Sequence, residues 1–510
     1  MPRYAAIDIG SNSIRMEAAE VLPGQPVRIL ASDREVTRLG ESVFRNGTVS
    51  EDALRFACDV LARMAALYRR LDVVGVRAVA TSAVRDTRNQ REFLTRASRA
   101  AGTEVEIISG REEARLIHLG VESTWPQPGK RTLLIDIGGG SAEIIASEDG
   151  RMAEAFSRPL GAVRLREMFL ADDPPQKVEL LQMREFIDEK IAPAVDRLSH
   201  ARWDRVIATS ASASAVVAAI ARVGRSKRED IDRLRVSSAQ VRQLYGRLST
   251  MNLAQRRKVT GIGPRRAEII VPGVAVLDRF LAHFQLRSMY YSRAGVRDGI
   301  IADLAARGVG REHSQLSREQ RRDVEQMARR FAVSMNRSRM VAGIGQLLFS
   351  CMQPLHQLAP AYGKLLEAAL YLHNVGHYVS SSSHHKHSWY VVAHADLPGF
   401  TERERLLIAA LCRYHRKSLP NPVHNSWQVL SADERRTLWL LIPLIRLADN
   451  LYRGENQRVE GVECHLREGG VVLQVRASGE IDLEAWAAAR VAQVFQQVYE
   501  KPLSLLWTRD

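Results

Sequence analysis

At 510 residues the chain is too long for one hydrophobic core, and roughly three or four domains are expected. Hydrophobic residues make up 45% and charged residues 26%, the balance of a soluble globular protein; the most apolar late run, Leu438 to Leu447, is broken by Pro443 and Arg446 and is too short to span a bilayer. A net charge of +15 favours anionic partners, either nucleic acid or a phosphate-rich molecule, unless it reflects a generally basic proteome; aromatics are only 6%, and no interleaved nucleic-acid motif stands out.

The chain opens on a strand, Tyr4 to Ile7, with no basic-plus-apolar leader, so secretion is not expected. Asp8-Ile9-Gly10-Ser11-Asn12-Ser13 follows, and Ile14 to Ala18 alternates as a second strand. Val73 to Ala80 reads as a strand that ends in Thr81-Ser82, both favoured helix N-caps, and helix N-termini bind anions. Arg85 and Asn89 lie in the first turns beyond it; Arg85 suits a phosphate, or is a plain solvated arginine. Cys58, Cys351, Cys412 and Cys464 lie far apart with no paired spacing, which argues against a zinc site and a disulfide framework and suits a reducing cytoplasm.

Val105 to Ser109 predicts a strand, then a helix begun by the capping-box pattern Ser109-x-x-Glu112. That gives Glu112 a structural task and leaves Glu113 with none. A first-turn carboxylate is held ionised by the helix field. Beside phosphates, Glu113 can take a proton from water; the plain alternative is a surface glutamate. Gly120 to Lys130 reads as a crossover.

Thr132 to Ser147 carries the strongest pattern. Leu133-Leu134-Ile135 leads into Asp136, then Gly138, Gly139, Gly140 and Ser141, then a second strand from Ala142. Three glycines let the backbone approach a ligand and turn several N–H groups toward it. Asp136 and Glu143 set carboxylates on either side, as a divalent cation bridging phosphates requires. A glycine-rich hairpin around a buried Asp is the plain alternative.

This stretch repeats the first one. Asp8, Ile9, Gly10 and Ser13 match Asp136, Ile137, Gly138 and Ser141, each 128 positions later (136 against 8). Ala80-Thr81-Ser82-Ala83 matches Ala208-Thr209-Ser210-Ala211 at the same offset. Two motifs repeated at one spacing imply two copies of one fold unit. Two such lobes would face each other across a cleft with a phosphate turn on each wall.

Further on, Leu165 to Leu198 is largely helical apart from Pro174-Pro175, and Ser212 to Val223 is helical. Arg256-Arg257-Lys258 and Pro264-Arg265-Arg266 form basic loops. Ser288 to Ile301 has a strand, a glycine turn and a helix start; Arg293 and Arg297 there face the cleft or the surface. From about Gly308 to Leu451 helical periodicity dominates. His373, His384, His385, His387 and His415 suggest metal, but Asp449 is the one well-placed carboxylate. Val459 to Trp507 reads as a hairpin plus a helix from Leu483 to Tyr499.

The segments DIGSNSIR (8–15), TSAVRDTRN (81–89), SGREEARLI (109–117), DIGGGSAE (136–143) and RAGVRDGI (293–300), in this order, resemble the exopolyphosphatase / guanosine pentaphosphate phosphohydrolase (Ppx/GppA) family of the actin-like ATPase superfamily. The resemblance covers about the first 300 residues. It implies an α/β fold with two duplicated actin-like (ribonuclease H-like) lobes at 1–124 and 125–307. An all-α HD-like domain at 308–455 and a small α+β C-terminal module at 456–510 would follow, commonly in a cytoplasmic homodimer.

The resemblance also implies hydrolysis of a terminal phosphoanhydride with Mg2+ (or Mn2+). Inorganic polyphosphate, degraded processively to orthophosphate, is the leading substrate, and pppGpp going to ppGpp the alternative. By the same resemblance Glu113 is the catalytic base, and Asp136, Glu143 and Asp8 are metal-associated. Ser11, Asn12, Ser13, Gly138, Gly139, Gly140 and Ser141, with Thr81, Ser82, Arg85, Thr209 and Ser210, bind phosphate. Nucleic acid and membrane insertion are not expected. A non-catalytic polyphosphate or nucleotide sensor and a phosphotransferase to ADP are readings from other classes. Three residues depart from the family pattern: Ala211 replaces a glycine, Asn374 replaces the HD aspartate, and Arg337 falls where the first HD histidine belongs. An amide is a poor substitute for a carboxylate ligand and Arg337 repels a cation, so the HD-like domain is expected to be a degenerate scaffold.

Overall fold

The computed structural model describes every residue except 1, 23, 199–200, 225–226, 228–230, 307–313, 453–458, 468, 479–481 and 510, and the side chains of 482–484. The chain divides into two compact units, Met1–Gly310 and Arg311–Asp510.

The first unit holds two sheets built to one plan. The first comprises β1 (Arg3–Ile9), β2 (Ile14–Glu20), β3 (Arg28–Glu35), β4 (Gly75–Ala80) and β5 (Val105–Ile107), in the order β3-β2-β1-β4-β5. The second comprises β6 (Arg131–Ile137), β7 (Ala142–Glu148), β8 (Arg151–Arg158), β9 (Arg205–Thr209), β10 (Arg235–Ser237) and β11 (Ser288–Tyr291), in the order β10-β11-β9-β6-β7-β8. Aligned on their central strands, β1 matches β6, β2 matches β7, β3 matches β8, and β4 matches β9. In each sheet a three-stranded antiparallel meander is joined by a parallel strand on its inner side. The 128-residue repeat is therefore a repeat of topology. Strands β3 and β8 carry no strong apolar signal because they lie at the meander edge and keep charged side chains partly in water.

One face of each sheet packs on its own lobe's helices. Glu51–Arg69 and Gln90–Ala101 cover the first, and Lys177–Leu198, Ser210–Ala221 and Ile270–His283 cover the second. The other faces are covered crosswise. The helix Gly110–Thr124 buries Ala114, Ile117 and Val121 against Leu134, Ile145 and Ile207 of the second sheet. The helix Val296–Ala306 buries Ile300, Ile301 and Leu304 against Tyr4, Ala6 and Val79 of the first. A helix that follows the first lobe in sequence thus completes the core of the second, and the reverse holds for the other. The two helices approach each other backbone to backbone at Gly120 and Gly299. A Cβ on Gly299 would lie 1.8 Å from the Leu116 carbonyl oxygen, and one on Gly120 would lie 2.3 Å from that of Gly295.

In the second unit, helices Arg318–Arg330, Met335–Cys351, Ala361–Leu372, Glu402–Tyr414 and Ala432–Leu451 share one apolar core. Capping boxes start three of them, at Ser317/Gln320, Thr401/Glu404 and Ser431/Glu434. The C-terminal segment adds β12 (Val459–Arg467) and β13 (Gly470–Ala477) as a hairpin, then the helix Asp482–Tyr499. It also adds a strand that the sequence reading missed, β14 (Leu503–Arg509), parallel to β13. Leu503 to Arg509 is short and lies at the sheet edge, so its strand character comes from the pairing. Val471, Leu473, Val475 and Phe495 belong to the same core as the helices, so module and helices are one packed body.

Cys351 and Cys464 are joined in a disulfide, with Cα atoms 6.1 Å apart. This corrects the expectation of no disulfide: sequence spacing does not report that the end of the Met335–Cys351 helix lies against β12. Among the described residues no helix is long and apolar enough to cross a membrane.

Candidate active site between the lobes

β1 and β6 each end near an aspartate and turn back through the same hydrogen bond. Gly10 N–H donates to the Ser13 carbonyl (3.1 Å) and Gly138 N–H to that of Ser141 (3.0 Å). The register puts Asp8 opposite Arg15 and Asp136 opposite Glu143. Arg15 and Glu143 occupy the same place in the two copies and carry opposite charge.

The glycines serve close approach. Gly138, Gly139 and Gly140 all have negative φ. A Cβ on Gly139 would lie 3.0 Å from the Asn12 nitrogen, and one on Gly140 would lie 2.5 Å from Ser82 Oγ and 2.6 Å from Ser11 Oγ. The second turn is thus pressed onto the first, and only glycine leaves room for it.

Between the turns is a cleft of 460 Å³. Asp8, Ser11, Asn12, Ser13, Thr81, Glu113, Asp136, Gly138, Gly139, Gly140, Ser141, Thr209 and Ser210 all line it. Five arginines join them: Arg15, Arg34, Arg266, Arg293 and Arg297. Ser11 Oγ accepts from Ala83 N–H (3.1 Å), which ties the first turn to the helix start after Thr81. Thr209 caps its helix by accepting from Ser210 N–H (2.7 Å), and its hydroxyl donates to the Ala294 carbonyl. Ser210 itself sits at φ 87°, a left-handed backbone that disfavours a side chain.

Three expected site residues stand behind the lining. Ser82 accepts from Arg164 Nη2 (3.0 Å), and Gly140 packs against it. Arg85 donates to the Ile108 carbonyl (2.7 Å) and lies 3.5 Å from Glu113 Oε2, so it acts on Glu113. Glu143 is fully buried and accepts from the Ser157 hydroxyl (2.9 Å). Ser82, Arg85 and one oxygen of Glu143 are spent on protein groups, which sequence spacing does not reveal. Conversely, Arg15, Arg34, Tyr291 and Asp298 line the cleft and were not singled out. Arg15 was findable, since the 128-residue offset places it on Glu143; Arg34 lies in the weak edge strand β3.

The carboxylates strain against one another. Burial pushes Glu113 up to about 7, with Asp8 and Asp136 adding repulsion and Arg85 opposing it. Burial likewise raises Asp136 to about 7, despite Arg15. Glu143 is held well above the usual carboxylate range by burial and by the charges of Glu113 and Asp136. Glu113 Oε2 and Glu143 Oε2 are buried without a hydrogen-bond partner. Such a cluster has room for positive charge.

Among the described residues no three His, Cys, Asp or Glu side chains are poised to hold a metal by themselves. The set still fits a hard cation that keeps waters and takes phosphate oxygens beside one or two carboxylates, as Mg2+ does.

In the second unit the histidine cluster is closed by protein groups. His373 Nε2 lies 3.0 Å from Asp449 Oδ1, Arg337 Nη2 donates to that same oxygen (2.7 Å), and Asn374 Nδ2 is 3.0 Å from His373 Nε2. The Arg337 guanidinium stands beside the carboxylate where a cation would need it.

The Ppx/GppA phosphatase family model matches residues 18–307, and the Ppx/GppA phosphatase domain III model matches residues 320–483. The chain belongs to the Ppx/GppA phosphatase family. Members are phosphoanhydride hydrolases, and so is this protein. A guanosine-5'-triphosphate,3'-diphosphate pyrophosphatase of Photobacterium profundum is 28% identical over 94% of this chain and 92% of its own. The solved Ppx/GppA family member of Aquifex aeolicus is 26% identical, covers 60% of this chain and 98% of its own, and superposes with a TM-score of 0.53. An exopolyphosphatase from Cytophaga hutchinsonii, 24% identical over 60% of this chain and 98% of its own, shares the fold with a TM-score of 0.55.

Proposed function

We propose that this Ppx/GppA protein is an exopolyphosphatase that removes orthophosphate from the end of an inorganic polyphosphate chain. The observation that carries the reading is the continuation of the cleft. A second pocket of 420 Å³ shares Asn12, Arg34, Ala211 and Arg266 with the first and adds Val36, Gly263, Pro264 and Arg265. Arg34 and Arg266 line both pockets, Arg15, Arg293 and Arg297 line the first and Arg265 lines the second, so guanidinium groups accompany a phosphate chain that extends from one into the other. The extension offers no aromatic face for a base, and the first pocket offers only Tyr291.

In this reading the backbone N–H groups of the two turns hold the terminal phosphates, and the arginines neutralise their charge. Glu113 accepts a proton from the attacking water as the new oxygen–phosphorus bond forms. The bridging oxygen–phosphorus bond breaks, and the electron pair leaves on the shortened chain. Asp136, Glu143 and Asp8 would hold Mg2+ or Mn2+, which supplies Lewis-acid stabilisation of the phosphoryl oxygens. Residues 308–455 would be a degenerate HD-like scaffold followed by the small α+β module at 456–510, and the working form a homodimer.

The Photobacterium relative, matched along nearly its whole length, supports a second reading, hydrolysis of pppGpp to ppGpp. Steady-state kcat/KM on long-chain polyphosphate against pppGpp decides between them. The first reading expects polyphosphate to be preferred; much faster turnover of pppGpp overturns the order, and no phosphate release from either leaves a sensor.

A further inference from the structure

The glycine turn of the second lobe is held from behind by one short helix, Ala162–Phe169. Ala162 N–H donates to the Gly138 carbonyl (3.0 Å), and the N–H groups of Val163 and Arg164 donate to that of Gly139 (2.9 and 3.1 Å). The Arg164 side chain continues the series, its Nε donating to the Gly140 carbonyl (2.8 Å). A Cβ on Gly161, the residue before the helix, would lie 2.2 Å from the Gly140 nitrogen, so the helix start reaches the turn only because that residue is glycine.

The peptide bonds of the turn are trans. Across a trans peptide the C=O of one residue and the N–H of the next point to opposite sides. With the carbonyls of Gly138, Gly139 and Gly140 fixed on the helix side, the N–H groups of Gly139, Gly140 and Ser141 are turned away from it, and all three residues line the cleft. Among the described residues none of these three N–H groups donates to a protein acceptor. Successive N–H groups turned one way make an anion-binding concavity.

The first lobe shows which part of this device is unusual. The 128-residue offset matches Gly139 to Ser11 and Gly140 to Asn12. There Gly40 N–H donates to the Ser11 carbonyl (2.7 Å) and Arg38 N–H to that of Asn12 (3.2 Å), so the backbone holds both. In the second lobe the last carbonyl is held by a side chain instead. The same guanidinium reaches across to the first lobe. Its Nη2 donates to Ser82 Oγ (3.0 Å) and pairs with the Asp86 carboxylate, and its carbon lies 4.0 Å from the Phe44 ring centre. One arginine therefore ties the last peptide of the turn to the opposite wall of the cleft.

We propose that Arg164 is a positioning residue for phosphoanhydride hydrolysis: it fixes the Gly140–Ser141 peptide, so that the Ser141 N–H stays aimed at the phosphoryl group, and it registers that peptide against Ser82 and Asp86. It acts through the turn and not on the substrate. The inference rests on the two turns being the phosphate site and holds for polyphosphate and pppGpp alike.

The test measures steady-state rates on long-chain polyphosphate and on pppGpp with Mg2+. Arg164→Ala is expected to lower kcat about 10-fold to 100-fold, the usual effect of misplacing a bound reacting group, with a smaller change in KM. Methylguanidine added to Arg164→Ala should restore part of the lost kcat and leave the wild type unchanged, a response that a merely structural role would not give. Should Arg164→Ala melt early, Arg164→Met, which keeps the stem against Phe44 and removes the donors, makes the same comparison. Asp86→Asn should lower kcat less than Arg164→Ala does and add nothing to it in the double variant, because both changes break one chain of contacts. A crystal structure of Arg164→Ala should show the Gly140 carbonyl turned from its place. If the wild type releases no phosphate from either substrate, the functional reading falls while the crystal structure still decides the positioning role. With an active wild type, an Arg164→Ala kcat within about two-fold, or a Gly140–Ser141 peptide that keeps its direction, overturns the proposal alone.

Discussion

Glu112 and Glu113 are neighbours in the chain and are held in opposite protonation regimes. Burial opposes ionisation of both. At Glu112 the guanidinium groups of Arg115 and Arg77 outweigh it, at 2.8 and 3.1 Å, and hold the carboxyl down at about 2. At Glu113 nothing outweighs it, and the group rises to about 7. Arg77 and Arg115 also bind Asp303 (2.9 and 2.8 Å), so Glu112 locks the Gly110–Thr124 helix to Val296–Ala306 while Glu113 stays available for proton transfer.

The two glutamates are therefore expected to fail differently. Glu113→Gln should lower kcat on polyphosphate by about 10²–10⁴-fold, the usual worth of a general base, with the fold intact. Glu112→Gln removes the shared anion of a buried network and should cost about 3–5 kcal/mol, read as a fall in Tm. If Glu113→Gln retains most of its turnover, Glu113 is not the base.

The pH responses have opposite signs. Glu112 is depressed from 4.5 to about 2, so the stability it contributes is present above about pH 4.5 and is lost as pH falls through 2. Glu113 is raised from 4.5 to about 7, so it weakens the fold progressively as pH rises from 4.5 to 7. Glu113→Gln should accordingly melt no lower than the wild type at pH 8, and somewhat higher. Turnover should fall as pH drops below about 7, because the base must be ionised. Added Mg2+ should move that limb to lower pH by offsetting the repulsion from Asp136. Calorimetry and pH–rate profiles at two Mg2+ concentrations check these signs.

Gly299→Ala should be more damaging than its size suggests. The added methyl meets the Leu116 backbone at 1.8 Å, which cannot rotate away, so the two crossed helices must part. Overpacking of this kind costs about 1–3 kcal/mol, and displacing the helix that carries Glu113 should lower kcat as well. Gly343→Ala, in an exposed helix position with nothing within 4 Å, is the control and should stabilise by about 0.5–1 kcal/mol. Urea melts of the two variants give the comparison.

Ser210→Gly should trade affinity for stability. At φ 87° glycine relieves the backbone, a gain of about 1 kcal/mol, while the cleft loses a hydroxyl. A raised Tm together with a raised KM is expected; a lowered Tm would show that the hydroxyl's bond from Ser212 N–H (3.2 Å) matters more than the strain.

Repeats and capping patterns made much of the fold legible in the sequence, because both are local. The offset of 128 residues foretold two lobes, and the structure shows two sheets of matching order. The pattern at Ser109 placed the helix start, and Ser109 Oγ does accept from Glu112 N–H (3.1 Å). What stayed hidden depends on distant partners. No local pattern tells that Glu112 meets Arg77, that Arg85 is turned to Glu113, or that Cys351 meets Cys464. The glycines after Asp136 were legible as a site but not as the point where two turns are pressed together, since that needs both lobes at once.

The crossed helices set how the lobes can move. Each is anchored in the other lobe's sheet, so a rotation that opens the cleft rolls them over each other at Gly120 and Gly299. Glu113 is carried by the same helix as Gly120, so the proposed base and the contact between the helices belong to one rigid element. Paired structures with and without substrate should show the spacing between Glu113 and the Gly120–Gly295 contact unchanged; a change there would show that the helix bends when substrate enters.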